Sequence, residues 1–286
     1  MNQFLICHRG ALGDFILTWP ALQALRQILP GFHFCGLGRP EYMRLAMTLG
    51  LLDSCHHAES SEMVQFFSGR SIPPRLGSPL GAILWLAEGR AAAELLTKSA
   101  SLPVALIPPF PSNQMHVGIY HWLAVTSHFP IESSPALFPC FPLNVKRGTY
   151  ALIHPGSGSP GKNYHPQFYL ALADELRKRG FPEVRFILGS AEERQLIHYL
   201  AGEKIEQPSD VEALARLQAG ASLYIGNDSG VSHLSGVLGT PTIALYKVTD
   251  PQVWGVLGRT VTHLKARNED LAWDGIRECL RQFRPP

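Results

Sequence analysis

Short apolar runs alternate with amphipathic stretches along the chain. In the first half, an apolar run over 3–7 predicts a buried strand, and apolar residues recur at helical spacing over 14–29, with a kink expected at Pro20. A second strand is predicted over 32–37 and a second helix over 40–49. Strand, helix, strand and helix in succession predict a doubly wound parallel sheet, in which helices connect the strands.

The alternation continues, with interruptions, to the end of the chain. A stretch rich in Ser, Pro and Gly over 60–79 predicts a long loop, and a helical pattern covers 114–129. The second half predicts strands over 150–154, 184–188, 223–225 and 242–246 and helices over 167–179, 191–200, 211–218, 229–238 and 268–283. The resulting interpretation is an N-terminal Rossmann-like domain over 1–132, a linker over 133–148, a C-terminal Rossmann-like domain over 149–267 and a C-terminal helix over 268–286. Such α/β domains in tandem predict an interdomain cleft at the carboxyl ends of their strands, where doubly wound folds bind ligands.

Composition narrows the class of protein. The 286 residues carry 25 basic and 23 acidic side chains, a net charge of +2, which argues against a nucleic-acid binder because such proteins present a strongly basic face. The five cysteines are far apart and no pair has C-x-x-C spacing, so neither a zinc site nor a disulfide framework is predicted. A reduced, cytoplasmic chain is expected.

Targeting and membrane signals are weak. The first residues lack the basic start, long apolar stretch and cleavage site of a signal peptide. Residues 99–145 carry one charge, Glu132, but prolines interrupt the stretch before about 20 apolar residues accumulate, so no membrane-spanning helix is predicted. The low charge of this stretch is compatible with peripheral contact at the inner face of the plasma membrane.

Three segments combine small and polar residues at predicted strand ends. They are HRGALGD over 8–14, HPGSGSPGK over 154–162 and GNDSGVSH over 226–233. Small residues let the backbone approach a ligand, and the free N–H groups of a helix start attract phosphate. None of the segments matches a P-loop or a G-x-G-x-x-G fingerprint, which makes an NAD enzyme a poor interpretation, and no cofactor is predicted. The alternative is that each segment is a tight strand-to-helix turn.

Four stretches of the sequence resemble one known family, the bacterial ADP-heptose–lipopolysaccharide heptosyltransferases of glycosyltransferase family nine. The stretches are RGALGDFILTWPALQALRQILP, HPGSGSPGKNY, LGSAEER and LQAGASLYIGNDSGVSHLSGVLGTPTIALYKVTDPQVW. The resemblance implies the GT-B architecture, with an acceptor-binding first domain and a nucleotide-sugar-binding second domain. It implies an inverting, metal-independent transfer of a sugar, heptose from ADP-heptose, to a lipopolysaccharide-core or related glycan acceptor.

The resemblance assigns roles to individual residues. Asp14 becomes the general base, although a carboxylate at a helix start is also a good cap. Gly13, His8 and Arg9 become acceptor-side residues. The nucleotide-sugar site is expected to comprise Ser157, Ser159, Lys162, Glu193, Asp228, Ser229, Gly230 and His233, with Glu192 as a rival to Glu193. No Asp-x-Asp occurs in the sequence, so no metal site is predicted.

Two departures from the family pattern bear on function. The family usually has Trp-Pro shortly after the central Lys, whereas this chain reads Lys162-Asn163-Tyr164-His165-Pro166. The first domain is short for the family, which leaves the acceptor open. Two alternatives follow: a catalytically silent nucleotide-sugar-binding protein of an envelope-assembly complex, and a GT-B nucleotide-sugar epimerase or hydrolase.

Overall fold

The computed structural model describes residues 2–130, 139–189 and 196–283. The chain divides into two compact units, Met1–Leu137 and Phe138–Pro286. Each unit is an α/β layer structure built on one wholly parallel sheet, as the alternating pattern predicts. Within the described residues, no helix is both long enough and apolar enough to cross a membrane.

The first unit has five strands in the order β3-β2-β1-β4-β5. Its elements are β1 (Gln3–His8), α1 (Leu12–Ile16), α2 (Trp19–Ile28), β2 (His33–Gly38), α3 (Pro40–Thr48), β3 (Ser54–His57), α4 (Ser61–Phe67), β4 (Gly81–Trp85), α5 (Arg90–Thr97), β5 (Val104–Ile107) and α6 (Val117–Thr126). The central strand β1 is apolar from Phe4 to Cys7, and these four residues are fully buried because helices cover both faces of the sheet.

The second unit has six strands in the order β11-β10-β9-β6-β7-β8. Its elements are β6 (Tyr150–His154), α7 (Pro166–Lys178), β7 (Glu183–Ile187), β8 (Lys204–Glu206), α8 (Val211–Ala219), β9 (Leu223–Asn227), α9 (Gly230–Val237), β10 (Thr242–Tyr246), α10 (Pro251–Trp254), β11 (Val261–Lys265) and α11 (Glu269–Gln282). Helices α7 and α11 pack on this sheet through apolar residues four apart, which form one face of each helix: Phe168, Leu172 and Leu176 on α7, and Ala272, Ile276 and Leu280 on α11.

Three predictions from the sequence are wrong. The helix predicted over 14–29 starts earlier and is two helices, α1 and α2, because the chain turns at Thr18, whose hydroxyl donates to the Phe15 carbonyl at 2.7 Å. The long loop predicted over 60–79 contains α4, whose Met63 and Phe66 are buried in the first core. The edge strands β3, β5, β8 and β11 and the central strand β4 have no counterpart in the predicted pattern. The start of the helix predicted over 191–200 lies outside the described residues.

The predicted linker is partly an element of the second unit. Phe141 donates its backbone N–H to the Val237 carbonyl at 2.7 Å, and Gly148 donates to Gly220 at 2.7 Å. Arg147 adds a guanidinium hydrogen bond to the Gly239 carbonyl at 3.0 Å. Residues 139–148 therefore lie on the surface of the second unit.

Candidate functional site

Three neighbouring strands of the second sheet end at the same edge. β9 lies between β6 and β10, with His154 opposite Gly226 and Leu245 opposite Asn227. The β6 loop (155–163), the β9 loop (228–229) and the β10 loop (247–250) leave this edge together. Carboxyl ends of adjacent parallel strands are where doubly wound folds bind ligands.

Asp228 connects these three loops. Its Oδ2 accepts from Lys162 Nζ at 2.7 Å and from Thr249 Oγ1 at 2.6 Å. Its Oδ1 lies 3.8 Å from Nε2 of His233, which is in the first turns of α9. Asp228 is only 5% exposed, so these contacts satisfy a carboxylate that has lost most of its water.

The Asp228 carboxylate is held in its ionised form. Burial raises the pKa of Asp228, but the nearby His233 imidazole and the hydrogen bonds from Lys162 and Thr249 outweigh burial and lower the pKa well below its usual range. Asp228 is therefore negative at neutral pH and balances the charge of Lys162.

The N-terminus of α9 follows directly. Ser229 caps this helix, its Oγ accepting from the Ser232 N–H at 3.4 Å. The same Oγ lies 3.5 Å from Nδ1 of His154, and burial lowers the pKa of His154 to about 4, so this imidazole is neutral at pH 7. Helix α9 begins at Gly230, directly after the β9 loop, and the free backbone N–H groups of a helix start are suited to an anion.

A buried amide fixes the β6 loop. Nδ2 of Asn227 donates to the carbonyls of Pro155 and Gly156 at 2.9 and 3.3 Å and lies 3.1 Å from Oδ1 of Asn163. Oδ1 of Asn227 accepts from the Tyr169 hydroxyl at 2.9 Å. These contacts hold both ends of the loop against the end of β9.

The hydroxyls of the β6 loop differ in their surroundings. Oγ of Ser157 lies 2.6 Å from the Ser159 carbonyl and 2.7 Å from Oδ1 of Asn163, and its single proton serves one acceptor at a time. This hydroxyl is committed to the loop itself, whereas Ser159 is exposed. Ser157 therefore shapes the loop, and Ser159 is the more exposed of the two serines.

The structure brings together five of the residues predicted for the nucleotide-sugar site: Lys162, Asp228, Ser229, Gly230 and His233. Glu192 and Glu193 lie outside the described residues. Sequence reasoning missed Thr249, Asn227 and Lys247. A signal for Thr249 was present, because Thr249-Asp250-Pro251 follows a strand and opens a helix, the same arrangement as the three segments singled out.

The predicted acceptor-side residues lie at the end of β1 in the first unit. Oδ2 of Asp14 accepts from the Ala11 N–H at 3.3 Å, so the half-buried carboxylate does cap α1. A Cβ on Gly10 would lie 2.9 Å from Cε1 of His8 and 3.2 Å from Oδ2 of Asp14, which places these two side chains within about 6 Å of each other. Burial lowers the pKa of His8 to about 4, so a neutral imidazole flanks the carboxylate. Arg9 is exposed and stacks 5.0 Å from the centroid of the Phe67 ring.

The described ranges contain no group of three or more His, Cys, Asp or Glu side chains arranged to hold a metal ion. The β6, β9 and β10 loops offer ammonium groups and backbone N–H donors around the ionised carboxylate of Asp228. Such a set binds and stabilises an anion.

Curated relatives match the chain over part of its length. Lipopolysaccharide heptosyltransferase 1 of Pseudomonas aeruginosa is 31% identical over 107 residues, which are 36% of this chain and 30% of that protein. Lipopolysaccharide heptosyltransferase 1 of Escherichia coli K12 is 27% identical over 133 residues, 45% of this chain and 41% of that protein. The matched part thus spans less than half the length of these relatives.

Solved structures match the fold over nearly the whole chain. A glycosyl transferase family 9 structure from Veillonella parvula superposes with a TM-score of 0.77 at 15% identity, covering 99% of this chain and 90% of the other. The E. coli heptosyltransferase WaaC with ADP superposes with a TM-score of 0.75 at 18% identity, covering 98% and 99%. Together with E. coli ADP-heptose LPS heptosyltransferase II, these structures confirm the predicted class of two Rossmann-like α/β units in the GT-B fold.

The family model for glycosyltransferase family 9 (heptosyltransferase) matches residues 125–279. This match covers more than half of the chain and contains the β6, β9 and β10 loops with Lys162, Asp228 and Thr249. The chain belongs to glycosyltransferase family 9, the heptosyltransferase family.

Proposed function

We propose that this protein is an inverting glycosyltransferase that moves heptose from ADP-heptose to a lipopolysaccharide-core or related glycan acceptor. Family membership and the similarity to lipopolysaccharide heptosyltransferases support the class of reaction. A similar structure, the WaaC enzyme with ADP-2-deoxy-2-fluoro heptose, supports the choice of donor, with a TM-score of 0.72.

One observation carries the donor side of the proposal. Lys162, Thr249 and the start of α9 converge on Asp228 at the carboxyl edge of the second sheet. A nucleoside diphosphate would place its phosphates against the Lys162 ammonium and the backbone N–H groups of Ser229 and Gly230. These donors are fixed before the ligand arrives, since Asn227 and Asp228 hold the loops that carry them. Preorganised donors stabilise charge at little reorganisation cost.

The reaction would be a single displacement at the anomeric carbon. The oxygen of the acceptor hydroxyl forms a bond to that carbon while the bond from the carbon to the diphosphate oxygen breaks. The electron pair leaves with the diphosphate, whose growing charge the Lys162 ammonium and the α9 N-terminus stabilise. The hydroxyl proton goes to the Asp14 carboxylate. The hydrogen bond from Ala11 N–H orients this carboxylate through Oδ2.

The acceptor side rests on the first unit. Asp14, His8 and Gly10 cluster at the carboxyl end of β1, and the exposed Arg9 guanidinium follows the strand. A lipid-linked acceptor would bring the protein to the inner face of the plasma membrane as a peripheral contact.

A transfer assay with the purified full-length chain tests the proposal. ADP-heptose and a lipopolysaccharide core that lacks heptose are incubated with the protein, and the formation of the heptosylated product and of ADP are both measured. Equal amounts of product and ADP are expected. ADP formed without acceptor would instead identify a hydrolase, and donor binding without consumption would identify a silent binding protein. Either result contradicts the proposed transferase.

A further inference from the structure

Lys247 is a cation at the candidate donor site that the sequence motifs do not single out. It follows β10 directly, two residues before Thr249. Its Nζ donates to the Asn163 carbonyl at 2.7 Å and lies 5.5 Å from the centroid of the Tyr164 ring. Asn163 is the residue after Lys162, so the ammonium reaches across to the end of the β6 loop.

Lys247 differs from Lys162 in that its charge is not neutralised within the site. The positive charge of Lys162 is matched by the ionised Asp228 carboxylate at 2.7 Å. Among the residues that the structure describes, no carboxylate lies within ion-pair distance of Lys247. Asp250, the other charged residue of the β10 loop, is paired with Lys265 at 2.6 Å. Among the described residues of the β6, β9 and β10 loops, Lys247 is therefore the one cation that no carboxylate neutralises.

The Lys247 ammonium also has donors to spare. An ammonium has three N–H donors, and the Asn163 carbonyl uses one of them. The side chain is half-buried, which reduces the screening of its charge by water. The contacts with Asn163 and Tyr164 hold the head group beside the loop that carries Lys162, so little side-chain entropy remains to be lost when an anion binds.

We propose that Lys247 binds the diphosphate of the nucleotide-sugar donor, as a second ammonium beside Lys162. This assignment rests on the proposed function, since it takes the donor site as given. A nucleoside diphosphate carries more than one negative charge. The charge of Lys162 is already neutralised by Asp228, so Lys162 alone leaves the charge of the diphosphate largely uncompensated. Lys247 provides the missing compensation in the bound state and as the diphosphate departs.

Binding of ADP and of adenosine to variants of the full chain tests the assignment. Lys247→Met keeps an unbranched apolar side chain of similar length but removes the ammonium, with its charge, its hydrogen bond to the Asn163 carbonyl and its contact with the Tyr164 ring. We expect ADP affinity, measured by calorimetry, to fall about 10-fold to 100-fold, as for the loss of a hydrogen bond to a charged group. Adenosine lacks phosphate, so its affinity should stay within about twofold. Lys247→Arg keeps the charge and should recover most of the ADP affinity.

Lys178→Met is the matched control. Lys178 is exposed in the last turn of α7, which the parallel topology places at the opposite edge of the sheet. Lys178→Met removes one positive charge from the protein, as Lys247→Met does, and should leave ADP affinity unchanged. Melting temperatures of all variants are measured without ligand.

The outcomes distinguish a failure of the Lys247 assignment from a failure of the proposed function. If Lys247→Met weakens ADP and adenosine equally, or leaves ADP affinity at the wild-type value while lowering the melting temperature, Lys247 only joins the two loops and the assignment is overturned. If the wild-type protein binds no nucleoside diphosphate, the proposed function is wrong, and the assignment of Lys247 is then wrong as well.

Discussion

Replacement of the Asp228 carboxylate by an amide perturbs the centre of the site with almost no change in size. Asp228→Asn still offers an oxygen to Thr249, but the charge that pairs with Lys162 is lost. Breaking a buried ion pair costs about 3–5 kcal/mol because it leaves the partner charge uncompensated. The Lys162 side chain is 28% exposed and can recover some hydration, so we expect a loss of about 2–3 kcal/mol in the free energy of unfolding.

Thermal unfolding of the full chain measures this loss. At roughly 2–4 °C per kcal/mol for a unit of this size, Asp228→Asn should lower the melting temperature of the second unit by about 5–10 °C at pH 7. Asp174→Asn is the control, since Asp174 is paired with Arg177 on the surface and its side chain is 65% exposed. Exposed pairs contribute about 0.2–1 kcal/mol, so this control should shift the melting temperature much less.

The pH dependence of the stability difference between wild type and Asp228→Asn tests whether the Asp228 charge is its cause. The pKa of Asp228 is lowered on folding, so the stabilisation is fully present above the unfolded-state value of about 3.9 and is lost as the pH falls toward the folded-state value. The difference between wild type and Asp228→Asn should be constant from pH 7 to pH 5 and narrow below about pH 4. An Asp228→Asn protein that melts like Asp174→Asn at pH 7 would refute the assignment of Asp228 as the residue that joins the loops.

Three further predictions concern turnover, nucleotide binding and metal dependence. Asp14→Asn keeps an oxygen for the Ala11 N–H but cannot take up a proton, so turnover should fall about 10²–10⁴-fold with an unchanged melting temperature; near-normal turnover would leave Asp14 as a helix cap only. Lys162→Ala should weaken ADP binding measured by calorimetry, and at an ADP concentration 100 times the wild-type dissociation constant should remove most of the roughly 2.7 kcal/mol of ligand stabilisation; unchanged affinity would exclude Lys162 from the diphosphate site. Transfer should continue in a chelator, and activity that needs added Mg²⁺ or Mn²⁺ would contradict the metal-independent mechanism.

The sequence by itself determined the fold class and most of the central strands, although the buried central strand β4 was not predicted. β1, β6 and β10 are buried on both faces of their sheets and therefore appear as continuous apolar runs. Edge strands lack this signal: β3 reads SCHH and β8 reads KIE, and both are partly exposed. Their place in the sheet comes from backbone hydrogen bonds to β2 and β7, which no local pattern records.

The sequence also predicted Lys162 and Asp228 as site residues but not their contact. These residues are 66 positions apart, and they meet because β6 and β9 are neighbours in the sheet. The same strand order brings in Thr249 and Lys247, which local spacing does not connect with the β6 loop. It also decides the charge state of the site, because the pKa of Asp228 depends on the burial and the donors that three separate segments supply. Local residue patterns encode which loops follow strands, whereas the packing of distant strands decides which charges face each other.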